Sequence, residues 1–295
     1  MTDYLSYFGL NEPPFLIAPN PRFLYMSAQH KSALAKVVAK LQTRQGLSLV
    51  YGAAGTGKTT VARWLHDRLN DDPSGLYVAR TLYNPAFRRD NQLLRVILRE
   101  FGVMELARTF EGNLALLQEY LHEQGVNEDR TVVLIIDEAN LLPAALLEFL
   151  RQLLNFENNE FKLVQIVLVG TDDLRDKVRR KPALASRARS VSTLEPFDHD
   201  ELSHMISYRL SVAGRERPLF TPVALNALYR YSDGIPRVAI NLCEYALDAA
   251  YSAQAPMVDG EHVTLATQEI ERGAASGARR RAPGAAVLAG TRTAS

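Results

Sequence analysis

Four short stretches rich in Val, Ile and Leu stand out along the chain, at residues 47–51, 76–79, 131–136 and 163–169. They are too short for buried helices and lack the alternation of half-exposed strands, which is the pattern of strands covered on both faces. Between them, over residues 59–69, 92–101, 114–124 and 144–156, apolar positions recur every three to four residues, as amphipathic helices require. Short buried strands alternating with helices predict an α/β fold with a mainly parallel sheet. From Asp198 onward the strand signals stop. Residues 198–213, 221–232 and 236–253 read as helices, the second opened by Thr221 as N-cap and Pro222 in its first turn. A short helix is expected after Gly260.

This texture divides the chain into an N-terminal arm (1–26), an α/β domain (27–196), a small all-helical domain (197–272) and a tail (273–295). The tail is small-residue and Gly-rich, so it cannot bury enough apolar surface to offset its chain entropy and is expected to be disordered. Arg279, Arg280 and Arg281 then read as a solvated charge run, with phosphate contact as the alternative. No internal repeat is visible.

Composition narrows the classes further. The 295 residues carry 34 Lys+Arg against 33 Asp+Glu, a formal charge of +1, which excludes a histone-like mode of nucleic-acid binding but not a local basic stripe. The single cysteine, Cys243, cannot form an intramolecular disulfide, and the six histidines have no zinc-type spacing. Residues 1–10 lack the features of a signal peptide. The longest strongly apolar run in the body, residues 132–136, is far too short to span a bilayer. A cytoplasmic protein with no membrane span is expected.

The chemistry is concentrated after the first predicted strand. Gly52-Ala53-Ala54-Gly55-Thr56-Gly57-Lys58-Thr59 fits G-x-x-x-x-G-K-[ST] at every fixed position, between a predicted strand and a predicted helix. Glycines let the backbone wrap a phosphate with its N–H groups inward, and the helix N-terminus adds partial positive charge. The cradle runs from Gly52 through Thr60; Lys58 reaches the β- and γ-phosphates of ATP, and the Thr59 hydroxyl is a Mg²⁺ ligand. The strand at 131–136 ends in Asp137-Glu138. Asp137 reads as the second support for Mg²⁺ and Glu138 as the group that polarises an attacking water, so hydrolysis rather than mere binding is expected.

With these two motifs the chain resembles the AAA+ ATPases, in which a P-loop NTPase domain is followed by a helical lid. The resemblance implies a polar sensor at the end of the fourth strand, Thr171 or else Asp172, in Gly170-Thr171-Asp172. It implies an arginine finger within Leu184-Ala185-Ser186-Arg187-Ala188-Arg189, with Arg187 ahead of Arg189, acting on the nucleotide of an adjacent subunit. It also implies that Arg237, in Gly234-Ile235-Pro236-Arg237, reaches the γ-phosphate from the start of a lid helix. A finger supplied in trans implies a homo-oligomer, ring or filament.

Within that superfamily, Tyr7-Phe8-Gly9-Leu10, Pro13-Pro14-Phe15, residues 19–25 and Gln29-His30-Lys31-Ser32-Ala33-Leu34 resemble the ExeA/GspA-like group. That group comprises accessory ATPases of type II secretion and pilus assembly, and it shades into transposition ATPases of the TniB/TnsC kind. The aromatics Phe8, Phe15 and Tyr25 either pack on adenine or staple the arm to the core. Secretion members typically continue into a membrane span and a peptidoglycan-binding region. Neither is expected in this chain. Three functions follow: an ExeA-like ATPase that assembles or remodels a protein complex, a regulator of transposition that oligomerises on duplex DNA, and a slow nucleotide-dependent switch. For the DNA reading, Arg88, Arg89 and Arg95 are candidate phosphate contacts, and a second basic run lies at Arg175, Lys177, Arg179, Arg180 and Lys181. Neither a dinucleotide G-x-G-x-x-G after a strand nor a G-x-S-x-G elbow is present.

Overall fold

The computed structural model describes residues 4–16 and 20–281. Helix α1 is Tyr4–Phe8 and α2 is Ala28–Gln42; strand β1 (Leu47–Gly52) leads into α3 (Lys58–Asn70), then β2 (Tyr77–Leu82), α4 (Asp90–Glu100) and α5 (Phe110–His122). Strand β3 (Thr131–Ile136), α6 (Ala144–Leu153), β4 (Val164–Gly170), α7 (Asp172–Arg179), α8 (Pro182–Ala185) and β5 (Ala188–Leu194) follow. The remainder is α9 (His199–Val212), α10 (Pro222–Ser232), α11 (Pro236–Ser252) and α12 (Gly260–Arg281). Two compact units result. One holds Asn20–Phe197 with Ile235–Arg237; the other holds the N-terminal segment, Asp198–Gly234 and the chain from Val238.

Among the described residues the α/β unit has a five-stranded sheet in the order β2-β3-β4-β1-β5. Every neighbouring pair is parallel, with Thr81 opposite Ile135, Leu134 opposite Ile166, and Val50 between Val169 and Ser192. Parallel register places all strand C-termini on one edge, where open α/β sheets bind ligands.

The two faces of the sheet bury alternate residues of the same strands. Leu47, Leu49, Leu134, Ile136, Ile166 and Leu168 pack with Leu93, Ile97, Leu117 and Leu147 from α4, α5 and α6. Val50, Val133, Ile135, Val167 and Val169 pack with Val37 and Leu41 of α2 and Val61 and Leu65 of α3. Covering both faces explains why these strands read as unbroken apolar runs.

Strand β5 escaped the pattern because its polarity is inverted. Ser190 and Ser192 are buried while Arg189, Val191 and Thr193 are exposed, so hydropathy carries no strand signal. Arg189, expected in a finger loop, is therefore a strand residue. Helices α2, α7 and α8 were also not legible from periodicity.

In the helical unit, α9 opens with a capping box. Glu201 N–H donates to Asp198 Oδ1 at 2.8 Å and Asp198 N–H to Glu201 Oε2 at 3.3 Å. The Thr221 hydroxyl accepts from Ala224 N–H at 3.2 Å, which is the predicted cap. Residues 4–16 belong to this unit rather than standing as a separate arm. Arg209 donates to the carbonyls of Pro14 (2.7 Å) and Leu16 (3.1 Å), and Asn11 N–H donates to Ala213 O at 2.8 Å. Phe8 and Phe15 are each 1% exposed, and Phe15 meets Phe220 edge-on at 5.7 Å. Those two rings are staples, closed to adenine. Helix α12 carries helical backbone through the first nine residues of the expected disordered tail; the rest of it, 282–295, lies outside the described residues. No helix among the described residues is long and apolar enough to cross a membrane.

Candidate functional site

The glycine loop joins β1 to α3 at the C-terminal edge of the sheet. Gly55 and Gly57 sit at φ of 87° and 97°, a region that residues with a Cβ rarely adopt. Packing beneath the loop adds a second constraint. A Cβ on Gly57 would lie 2.6 Å from His30 Nε2, and one on Gly52 would lie 2.5 Å from the Leu194 carbonyl. Inside the loop, Thr56 Oγ1 and Lys58 Nζ both donate to Ala53 O, at 2.9 and 2.8 Å. Helix α3 begins at Lys58, so its unpaired first-turn N–H groups open onto the loop.

Asp137, 3% exposed at the end of β3, is brought to the first turn of α3. Its carboxylate accepts from Glu138 N–H at 3.0 Å and lies near the Thr59 side chain. Burial holds the carboxyl above its ordinary range, and the Thr59 side chain and the Glu138 N–H pull it partly back. Burial likewise lowers Lys58, opposed by the charges of Glu138 and Asp137. A cation and two carboxylates thus converge on the loop. Glu138 takes a left-handed backbone, φ 54° and ψ 37°, an uncommon conformation for a non-glycine residue. Thr59 and Asp137 offer neighbouring oxygen donors beside a phosphate cradle. That fits Mg²⁺, which takes one or two protein ligands and completes its shell with water and substrate phosphates.

Thr171 follows β4 at the same edge, and its N–H donates to Asn140 Oδ1 at 3.0 Å. Asn140 is a residue that motif reading passed over. It lies three places after Asp137, and its side chain ties the loop after β3 to the loop after β4. A Cβ on Gly170 would approach Asn140 Oδ1 to 2.8 Å, so the contact depends on glycine there. Lys177 secures the same turn by donating to the carbonyls of Asn140 and Leu142. Asp172 pairs with Arg175 at 3.2 Å and lies near enough to Lys58 to favour its charge. Arg237 also meets the loop. Its N–H donates to Gly55 O at 3.3 Å, and its charge opposes that of Lys58.

Arg187 is placed elsewhere. It precedes Ala188, which pairs with Leu47 at the start of β1, so it lies at the opposite edge from the loop. The length of β1 separates the two, about 17 Å. There Lys162 is lowered first by burial and then by the charges of Arg187 and Arg189, while Glu157 pairs with Lys162.

Arg88 and Arg89 are exposed on the loop that leaves β2 at the P-loop edge, and Arg95 is half-buried on α4. The guanidinium of Arg63 stacks over Tyr83 of that loop at 5.6 Å. The second basic run, in contrast, is partly engaged within the chain. Arg175 pairs with Asp172, Arg179 with Asp176 at 3.6 Å, and Lys177 is spent on carbonyls.

Residues 41–178 match the AAA domain family, a span that contains the glycine loop, Asp137, Glu138 and Thr171. That match, just under half of the chain, and the P-loop within it make the chain similar to the AAA+ ATPases. It is 37% identical over 273 residues to general secretion pathway protein A of Aeromonas hydrophila, covering 90% of this chain and 48% of that protein. It is 27% identical over 235 residues to ORC1-type DNA replication protein 8 of Haloarcula marismortui, covering 75% of this chain and 53% of the relative. The chain thus spans about half the length of the curated relatives it matches. Among solved structures, the Aeropyrum pernix ORC1 protein in complex with DNA superposes with a TM-score of 0.65 at 21% identity, over 93% of this chain and 73% of that one. The Pyrobaculum aerophilum Cdc6p structure gives 0.66 at 18%, over 87% and 70%. At those identities the structural likeness speaks to fold alone.

Proposed function

We propose that the chain binds Mg-ATP in the cradle from Gly52 to Thr60 and hydrolyses it as a cytoplasmic homo-oligomer, ring or filament, to assemble or remodel a partner complex. The observation that carries this reading is the meeting of Lys58, Thr59 and Asp137 at the glycine loop. Lys58 and the N–H groups of the loop neutralise the β- and γ-phosphates. Thr59 and Asp137 hold Mg²⁺, which when bound stabilises charge on the phosphate oxygens. Glu138 draws the proton from the attacking water. Thr171, held by Asn140, orients that water, and Arg237 reads the γ-phosphate from beside Gly55. Arg187 of one copy completes the site of the next. Its position at the far edge of the sheet supports this role, since it is out of reach of the loop in its own chain.

The likeness to general secretion pathway protein A favours a protein partner of a secretion or pilus system. A second reading, oligomerisation on duplex DNA in a transposition-like process, is favoured by exposed Arg88 and Arg89 on the P-loop edge and by the ORC1-type relatives. ATPase rate with and without duplex DNA, with negative-stain imaging in a slowly hydrolysed ATP analogue, separates them. Turnover indifferent to DNA supports the protein-directed reading; DNA-stimulated turnover with assemblies on DNA replaces it. No magnesium-dependent ATP turnover under either condition would overturn both.

A further inference from the structure

Beneath the glycine loop lies a histidine to which no motif assigns a role. His30, on α2, is 2% exposed, and both ring nitrogens are engaged. Nε2 is 2.9 Å from the Thr56 carbonyl oxygen and Nδ1 is 2.9 Å from Ser27 Oγ. A carbonyl only accepts, so Nε2 carries the proton, and in the neutral ring Nδ1 accepts from the Ser27 hydroxyl. Ser27 is the N-cap of α2 yet makes no side-chain cap bond. Its hydroxyl is directed to the ring instead of the helix it precedes. Phe197, 3% exposed, meets the ring edge-on at 5.6 Å. The Gly57 Cα lies so close that a Cβ there would reach 2.6 Å from Nε2.

We infer that His30 is a positioning residue for nucleotide binding, clamping the Thr56–Gly57 peptide so that its N–H faces the phosphates. The peptide unit is planar and trans, so its C=O and N–H point in opposite directions. Anchoring the Thr56 carbonyl toward α2 therefore turns the Gly57 N–H away from α2. The peptide is restrained before nucleotide arrives, and the cost of ordering a phosphate donor is met by folding. Histidine serves here because it joins a rigid ring to a donor at one end and an acceptor at the other; the Thr56 carbonyl fixes which is which, and the Ser27 hydroxyl answers the remaining nitrogen. Glycine at 57 has a second reason to be present, since any side chain would displace the clamp.

The inference rests on the nucleotide reading, and the test keeps the two apart. ADP and ATP affinities are measured for the full chain, for Lys58→Ala, and for His30→Leu, His30→Gln and His30→Asn, with thermal melting in the absence of nucleotide. Leucine keeps the bulk without a donor. Glutamine places an amide N–H near the reach of Nε2, and asparagine is one bond too short. We expect His30→Leu and His30→Asn to lose about tenfold in affinity, as for one hydrogen bond to a buried carbonyl. His30→Gln is expected to stay within about threefold of wild type, and the rescue should appear in affinity rather than in melting temperature. Wild-type affinity in His30→Leu, or equal losses for glutamine and asparagine, would overturn the inference. Should the leucine variant not fold, the glutamine–asparagine pair carries the test. Absence of binding by the wild-type chain would end the nucleotide reading itself, which the Lys58→Ala comparison identifies separately.

Discussion

At the C-terminal edge of the sheet, Asp137 lies beside Thr59 and Lys58 lies among carboxylates. At the N-terminal edge, Lys162, Arg187 and Arg189 crowd together, with Glu157 on Lys162 as the paired acid. The first edge has cations and anions that answer one another within a single chain. The second concentrates positive charge, an arrangement that raises the local potential and is relieved by an external anion. On the reading proposed above, the difference teaches that one fold can present half a reaction on each rim of its sheet. On the proposed reading, the cationic rim of one copy faces the phosphate rim of the next, and the ATP γ-phosphate is the anion they share.

Substitutions sharpen that comparison. The largest effect is expected at the phosphate rim, where Glu138→Gln should lower turnover by about 10³-fold, within the range for loss of a general base. It should keep ATP binding and accumulate ATP-bound assemblies, and single-turnover hydrolysis checks it. Normal turnover in this variant would remove Glu138 from its role. At the opposite rim, Arg187→Ala should spare ATP binding and lower turnover by about 10²-fold, as for loss of one charged transition-state donor. Hydrolysis at the wild-type rate would detach that rim from the reaction. Reversing Arg88 and Arg89 to Glu tests whether the P-loop edge also meets DNA. On the DNA reading, the plot of log affinity against log salt should become shallower by about two units for two lost phosphate contacts, with nucleotide affinity unchanged. Asn140→Ala should have the smallest effect, a loss of about 1 kcal/mol for one side-chain hydrogen bond. It should be seen as a several-fold fall in kcat with KM little altered.

Legibility from sequence followed contiguity. The glycine loop is a run of eight residues with its strand and helix attached, and Asp137-Glu138 ends an unbroken apolar strand, so both could be read directly. Burial on both faces made β1, β3 and β4 conspicuous. Strand β5 was invisible because serines occupy its buried positions and Val191 its exposed one. His30 and Asn140 act on partners 26 and 31 residues away, at Thr56 and Thr171. Nothing local to Ser27-x-x-His30 announces that its ring lies under the loop. The placement of residues 4–16 in the helical unit was equally hidden, since it depends on Arg209, 195 residues beyond Pro14.

The composite-site claim is tested most directly by mixing two defective proteins. Lys58→Ala keeps Arg187 but should lose nucleotide binding, whereas Arg187→Ala keeps the phosphate cradle but lacks the finger. Each alone should hydrolyse ATP poorly. If the two rims complete one another, mixed oligomers should recover turnover at interfaces that pair an intact Lys58 with a neighbour's intact Arg187, roughly a quarter of a random mixture in a head-to-tail assembly. Turnover no higher than the sum of the separate variants would contradict the account.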